Sequence, residues 1–117
     1  MSYIDGYVIA VPTANKEAYK KTSLITACIL KECGALNLIE CWGDDIPEGK
    51  LTSFPLAVNL KPDETVVFSW VLWPDRSARD LGTEKAMADP RMQLGIKDMP
   101  YDASRMIYGG FDVFINA

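Results

Sequence analysis

The chain has 117 residues, of which 49% are hydrophobic and 24% are charged, and it contains no histidine. This length and composition are typical of one globular domain, residues 1–117, that needs neither a disulfide nor a metal for stability. Without histidine, the chain cannot build Ser-His or Cys-His nucleophilic pairs or histidine-ligated metal and haem sites. We therefore expect no metal and no cofactor.

The acidic balance and the absence of long apolar runs limit the partners further. The net charge of −4 argues against nucleic acid, because phosphate binding needs clustered lysine and arginine. The chain start lacks the features of a signal peptide, and no run approaches the roughly 20 apolar residues of a membrane span. The three cysteines, Cys28, Cys33 and Cys41, are interpreted as small apolar residues, with a reactive thiol at Cys41 as the alternative. We expect a cytoplasmic protein with no membrane partner.

The first half of the chain predicts a strand followed by a helix. Residues Tyr3 to Val11 are rich in aromatic and β-branched types, and both alternating sets are mainly apolar, which indicates a strand covered on both faces. After a turn at residues 12–15, apolar residues at three-to-four spacing predict a helix to about Cys33. Gly34 stands where a helix C-terminal glycine belongs.

Three more strands are predicted between the two helical regions. Leu36 to Trp42 forms the first, and a polar loop at residues 43–50 follows it. Leu51 to Asn59 is predicted as an extra edge strand, because Pro55 cannot donate to a ladder. Thr65 to Trp73 has almost no polar face, so it should be central.

The last third predicts a second helix and a final strand. The helix runs from about Ser77 to Ala88, and residues 91–96 add one or two helical turns. Met106 to Ile115 is the last strand. Its glycine pair, Gly109 and Gly110, indicates a bulge or a close approach of the backbone.

The predicted order is β-α-β-β-β-α-β, which without the extra edge strand is the ferredoxin-like βαββαβ arrangement of the α+β class, with an antiparallel sheet. Such a fold carries helices on one sheet face only. We expect Tyr3, Tyr7, Trp42, Phe114 and one set of tryptophans to line the other face. An apolar face of this size implies a partner, most simply a second copy of the chain.

Several longer motifs resemble one family. They are residues 2–6 (SYIDG), 40–45 (ECWGDD), 52–55 (TSFP), 64–70 (ETVVFSW), 87–91 (MADPR) and 105–111 (RMIYGGF). They are similar to the bacterial YbaA-like family, classed as domain of unknown function 1428, over essentially the whole chain. The resemblance implies the dimeric α+β barrel fold, a homodimer joined through the sheet faces, and no known activity. The wider barrel group includes small monooxygenases, haem-dependent dismutases and ligand binders, and fold alone does not choose among them.

The candidate site is the sheet face away from the helices. Period-two alternation can direct carboxylates and aromatic rings from several strands towards one cavity. There, burial would raise carboxylate pKa values and suit them to acid or base chemistry. Alternatively, they are interface residues paired with Arg105 or Arg76. The candidate pocket-lining residues are Asp5, Tyr7, Glu40, Trp42, Ser69, Trp70, Arg105, Tyr108 and Asp112, with Ser69 or Trp70 depending on register.

Two charged clusters have simple and functional interpretations. Asp44, Asp45 and Glu48 form a solvated turn or, alternatively, a site for a divalent cation. Arg76 and Arg79 make surface pairs or hold an anionic ligand. The three tryptophans either stack on a planar ligand or fill the core and interface: Trp42, Trp70 and Trp73.

Three functions remain open on the sequence. The first is a homodimer that binds a small molecule or has a structural role. The second is a cofactor-independent monooxygenase-type enzyme that shapes a pocket around its substrate. The third is a protein-protein adaptor. An open pocket of a few hundred Å3 with convergent polar groups would favour binding or catalysis, and a closed centre would favour a structural role.

Overall fold

The computed structural model describes residues 2–117, which form one four-stranded sheet and a set of helices. The strands are β1 (Tyr3–Pro12), β2 (Asn37–Trp42), β3 (Glu64–Trp73) and β4 (Ile107–Asp112). The helices are α1 (Lys16–Glu32), α2 (Phe54–Ala57), α3 (Arg76–Met87) and α4 (Pro90–Lys97). Short 3-10 turns span Thr13–Asn15 and Ala103–Arg105. Among the described helices, none is long and apolar enough to cross a bilayer.

The strands pair antiparallel in the order β2-β3-β1-β4. This is the ferredoxin-like arrangement, so the predicted fold class is confirmed. The apolar strand β3 lies inside the sheet between β2 and β1, as its lack of a polar face predicts. β-branched and aromatic residues fill both central strands because each is covered by neighbouring strands along both edges.

The predicted extra edge strand at Leu51 to Asn59 is wrong. This segment contains helix α2, and the Ser53 hydroxyl accepts a hydrogen bond from the backbone N–H of Leu56 at 3.1 Å. Pro55 is the second residue of the helix. Proline suits the first helical turn as well as an edge strand, because its missing N–H is unpaired in both.

The glycine pair of β4 allows a side chain of the neighbouring strand to come close to the β4 backbone. The register runs without interruption from Ile107 to Asp112, which excludes a bulge there. A Cβ atom on Gly110 would overlap the ring and hydroxyl of Tyr3 on the neighbouring strand. The Tyr3 side chain therefore occupies the space that a side chain at position 110 would need.

The face of the sheet that meets the helices differs from the one expected. Tyr3 and Trp73 pack with Leu30 of α1, while Ile9 packs with Tyr19 of the same helix. The alternating set that begins at Tyr3, which includes Tyr7, therefore faces the helices together with Trp42. The expectation that Tyr3, Tyr7 and Trp42 line the uncovered face is wrong.

The opposite face of the sheet, here called the open face, is nevertheless apolar. Its side chains follow from the register and the period-two alternation: Ile4, Val8, Ala10, Ile39, Cys41, Val66, Phe68, Trp70, Leu72, Ile107 and Phe111. The segment after α2 covers one end of it, where Val58 packs on Ala10 and Val66. Elsewhere, Phe68 is 43% exposed and Phe111 is 61% exposed. Aromatic surface of this kind marks a docking face.

Candidate ligand-binding cavity

A cavity of about 700 Å3 lies between the sheet and helices α1, α3 and α4. Its walls are mainly aliphatic and methionine side chains, including Ile25 and Ile29 of α1 and Met92 and Ile96 of α4. Methionine side chains are flexible and polarizable, so they adapt to the shape of a bound molecule. The apolar stripe of α1 therefore borders the cavity along part of its length and packs against the sheet elsewhere.

The floor of the cavity carries a row of polar side chains from neighbouring strands. Glu40 of β2 pairs with Ser69 of β3, and Ser69 pairs with Tyr7 of β1. All three side chains line the cavity. Tyr108 of β4 extends the row at the exposed edge, with its ring stacked on Tyr7 at 6.2 Å between centroids. Because directly paired residues share a face, four separate strands bring these groups together.

Glu40 is the carboxylate acceptor at one end of this row. The Ser23 hydroxyl of α1 donates a hydrogen bond to the Glu40 carboxylate at 3.0 Å. Tyr19 of α1 and Tyr101 also line the cavity, with their rings in edge contact at 5.6 Å between centroids. Burial and the nearby Glu40 carboxylate raise the pKa of both tyrosines. These hydroxyls stay protonated near neutral pH and act as hydrogen-bond donors.

Tyr7 is held protonated for a similar reason. Burial, followed by the charge of Asp5, raises the pKa of Tyr7 to about 12. The cavity therefore presents neutral tyrosine hydroxyls together with carboxylate oxygens. This combination can bind a polar group that donates hydrogen bonds and can position its proton.

Asp5 is part of a hydrogen-bonded network that joins α3 to the sheet. The indole N–H of Trp73 donates to Asp5 Oδ2 at 3.1 Å, and Arg79 Nη1 donates to Asp5 Oδ1 at 2.8 Å. Arg79 also donates to the Tyr3 hydroxyl at 3.2 Å and lies over the Tyr3 ring. The Asp5 charge is thus neutralised by Arg79. Arg79 also makes the expected surface pair, with Asp80 at 2.8 Å, so both of its charged partners are carboxylates of this chain.

Four of the nine predicted pocket-lining residues surround this one cavity. They are Asp5, Tyr7, Glu40 and Ser69, and Tyr108 stacks on Tyr7 at its edge. The cavity lies on the helix side of the sheet, so the predicted location on the far face is wrong. The register places these residues on one face of the sheet, but alternation alone does not state which face meets the helices.

The other four predicted pocket-lining residues lie elsewhere. Trp42 packs in the core cluster around Ile9, with the Lys16 ammonium 5.1 Å from its ring centroid. Trp70 is on the open face beside Phe68. Asp112 is exposed at the end of β4, and Arg105 pairs with Glu64 and Asp102. Trp70 lies away from the cavity because its position in the alternation of β3 directs it to the open face. Arg105 lies away from it because it is in the turn before β4.

Sequence reasoning missed several polar residues of the cavity lining. Three of them are Tyr19, Ser23 and Tyr101, of which only Tyr19 belongs to the apolar stripe of α1. Ser23 is adjacent to that stripe and four residues after Tyr19, which places both on one helix side. Tyr101 lies in the loop between α4 and β4. A loop has no periodic pattern from which the direction of a side chain can be predicted.

The remaining charged candidates lie on the surface. Arg76 makes an exposed pair with Asp80 at 3.8 Å, and Asp44, Asp45 and Glu48 are exposed in the loop after β2. Within residues 2–117, no group of three or more cysteine and acidic side chains is arranged to hold a metal ion. All three cysteines are free thiols, and Cys41 is exposed on the open face.

Arg105 and Glu64 form the most enclosed ion pair in the described chain. Arg105 donates two parallel hydrogen bonds to the Glu64 carboxylate, at 2.7 and 2.6 Å, and the Glu64 side chain is only 4% exposed. The Arg105 hydrogen bonds lower the pKa of Glu64 to about 2. This bidentate contact fastens the turn before β4 to the start of β3.

The Glu64 pair predicts a loss of stability in acid. Because the pKa of Glu64 falls from 4.5 to about 2 on folding, its contribution is complete above pH 4.5 and disappears as the pH falls towards 2. We expect Glu64→Gln to destabilise the protein at neutral pH and to flatten the fall in unfolding free energy across that window. Urea titrations at several pH values measure both effects.

The control for this experiment is Glu48→Gln in the exposed loop after β2. It should leave the pH dependence of the unfolding free energy close to that of the parent. A Glu64→Gln variant with the same acid sensitivity as the parent would show that another carboxylate dominates the acid response.

Comparison with known proteins shows the relationship of the chain. The family described as "Protein of unknown function (DUF1428)" matches residues 2–103. The uncharacterized proteins YbaA of Escherichia coli and of Shigella flexneri are each 47% identical over 116 residues, covering 99% of both chains.

Solved structures share the fold at low sequence identity. SnoaB, a cofactor-independent oxygenase from Streptomyces nogalater, is 16% identical with a TM-score of 0.61, covering 98% of this chain and 95% of its own. An uncharacterized NIPSNAP domain protein from Burkholderia xenovorans is 19% identical with a TM-score of 0.60. The match covers 98% of this chain and 99% of that protein's chain. These likenesses show that the chain shares the ferredoxin-like α+β fold of these proteins. On the family match and the 47% identity over nearly its whole length, the chain belongs to the DUF1428 family.

Proposed function

We propose that this protein is a homodimer in which each subunit binds a small, mostly apolar molecule in the cavity between the sheet and the helices. The observation that carries the proposal is the cavity itself, about 700 Å3 in volume with the row Glu40, Ser69 and Tyr7 on its floor. Ligand sites are concave and mainly apolar, with a few convergent polar groups that orient the ligand.

Packing energetics also favour an occupied cavity. Protein interiors are close-packed, and a large void lined by aliphatic side chains loses dispersion contacts without gaining well-bonded water. The walls contributed by Ile29, Met92 and Ile96 offer few partners for water. A bound apolar molecule would restore those dispersion contacts. The polar row on the cavity floor would form hydrogen bonds with a polar group at one end of the molecule.

Filling the cavity from α1 should block binding. Thr26 lines the cavity, so Thr26→Phe would place a ring in the space that the ligand needs. We expect this variant to bind a neutral naphthylamine dye about tenfold more weakly than the parent, corresponding to about 1.4 kcal/mol. Fluorescence titration measures the dissociation constant.

The matched control is Lys21→Phe, which adds the same ring to the same helix at an exposed position outside the cavity lining. It should bind the dye as the parent does. If the parent binds no dye, or if both variants bind equally well, the cavity is not a ligand site and the structural role becomes the better proposal.

The open face supports the homodimer part of the proposal. Its exposed aromatic residues, Phe68 on the inner strand β3 and Phe111 on the edge strand β4, lie on one face of the sheet. A second copy offers an equally apolar, self-complementary face. The subunit fold also agrees with dimeric barrel proteins. The free thiols Cys28, Cys33 and Cys41 suit a reducing compartment, and we propose the cytoplasm as the location.

A cofactor-independent oxygenase is the second candidate. It is favoured by the fold shared with SnoaB and by the position of Glu40 beside protonated Tyr19 in the cavity. In this reaction Glu40 would accept a proton from the substrate, whose own electrons would then reduce dioxygen. Native mass spectrometry would identify any molecule retained on purification. Oxygen uptake with that molecule, lost in Glu40→Gln, would separate catalysis from binding.

A further inference from the structure

We infer that the molecule bound in the cavity carries a cationic amine that pairs with Glu40. This inference rests on the proposed binding function and specifies its ligand class. It follows from the charges around the cavity, where one carboxylate has polar hydrogen-bond partners but no cation beside it.

The other charged groups of the cavity lining already have partners of opposite sign. Asp5 is paired with Arg79 at 2.8 Å. Arg91, at the α4 side, is paired with Asp89 at 2.8 Å and with Glu32 at 2.9 Å. These contacts leave neither Asp5 nor Arg91 as a free charge for a ligand.

Glu40 differs from both. Its carboxylate accepts a hydrogen bond from the Ser23 hydroxyl at 3.0 Å and lies near the protonated Tyr19. Among residues 2–117, no lysine or arginine nitrogen lies within the 4.0 Å of an ion pair with it. A carboxylate that faces an apolar space is costly unless a cation or several donors compensate it.

The surroundings of Glu40 also suit an ammonium group. Tyr19 and Tyr101 bring two aromatic rings to the same part of the cavity, 5.6 Å apart between centroids. Aromatic rings attract cations through their electron-rich faces, most strongly where water is excluded. An anionic ligand would be repelled by Glu40, and a neutral ligand would leave the carboxylate without a counter-charge. The aliphatic walls then select an amine with an apolar body.

Three naphthalene compounds of similar size test the inference. They are naphthylethylamine, naphthylethanol and naphthylacetate, which present a cation, a neutral hydroxyl and an anion on one apolar body. We expect calorimetric titration of the parent at neutral pH to show the amine binding about tenfold more tightly than the alcohol. The carboxylate should bind most weakly.

The variant Glu40→Gln identifies the group responsible. It should bring the affinities for the amine and the alcohol to within about twofold, because the amide keeps the shape but not the charge. Glu17→Gln, on the exposed first turn of α1, changes the net charge equally and should preserve the preference. A preference that survives in Glu40→Gln would overturn the assignment to this residue.

The outcomes separate this inference from the proposed function. Equal binding of amine and alcohol by the parent would overturn the amine and leave a cavity for neutral ligands. No binding of any of the three compounds, together with no binding of the neutral dye, would overturn both. Because the comparison on the parent decides these cases, the test survives if Glu40→Gln fails to fold.

Discussion

We expect the substitution Phe111→Glu to convert the proposed homodimer into a monomer. Phe111 is 61% exposed on the open face and lies opposite Ile4 of the adjacent strand. In a dimer joined through this face, the new carboxylates would be buried without partners at an apolar contact. Burying an unpaired charge costs far more than an ordinary interface contact contributes. Analytical ultracentrifugation of both proteins measures the change in mass.

The control for this experiment is Leu24→Glu. Leu24 is 64% exposed on α1, a helix on the other side of the sheet, and it does not line the cavity. This variant has the same added charge and should sediment like the parent. A monomeric parent, or a dimer that persists in Phe111→Glu, would contradict the proposed assembly through the open face.

The substitution Asp5→Asn should cost about 3 kcal/mol of stability, the lower end of the range for breaking a buried ion pair. Asp5 is 8% exposed and receives hydrogen bonds from both Arg79 and Trp73. The amide removes the charge that compensates Arg79 and supplies one acceptor oxygen in place of two. Helix α3 would lose its polar anchor on the sheet. Urea unfolding monitored by tryptophan fluorescence measures the change.

Asp80→Asn is the matched control, because Asp80 is the other carboxylate bonded to Arg79, at 2.8 Å. Its side chain is 58% exposed, so solvent screens the pair and the expected loss is below about 1 kcal/mol. Equal losses in the two variants would mean that burial of Asp5 adds nothing to the strength of its ion pair.

The strands and long helices follow closely from local patterns in the sequence. The run from Thr65 to Trp73 predicts β3 to within one residue, and the stripe of α1 predicts its whole length. Regular elements of ten or more residues bury a continuous side, so their periodicity is strong. The prediction failed for the segment at Leu51 to Asn59 because it is too short to show a clear hydrophobic periodicity. Its proline is also compatible with both an edge strand and the first turn of a helix.

The sequence indicates that several residues of the candidate site share one face of the sheet, but it does not indicate which face that is. Asp5, Tyr7 and Glu40 share strand phase, and the register brings them to one side of the sheet. Tyr101 and Arg79 come from a loop and a helix, and their contacts with the strand residues span long separations in the chain. No local pattern encodes such contacts, since they depend on how the helices settle on the sheet.

By itself, the sequence determined the order of the four strands and the two long helices, the ferredoxin-like class, the absence of histidine chemistry within the chain and the two alternating sets of β1. Only the tertiary structure decided which set faces the helices, and therefore that Asp5 and Tyr7 line a cavity while Phe68 and Phe111 remain on the open face. The physical reason is that both sides of these strands are apolar. Alternation then divides the side chains into two sets without showing which set is buried under the helices. The packing of α1, α3 and α4 on the sheet decides this.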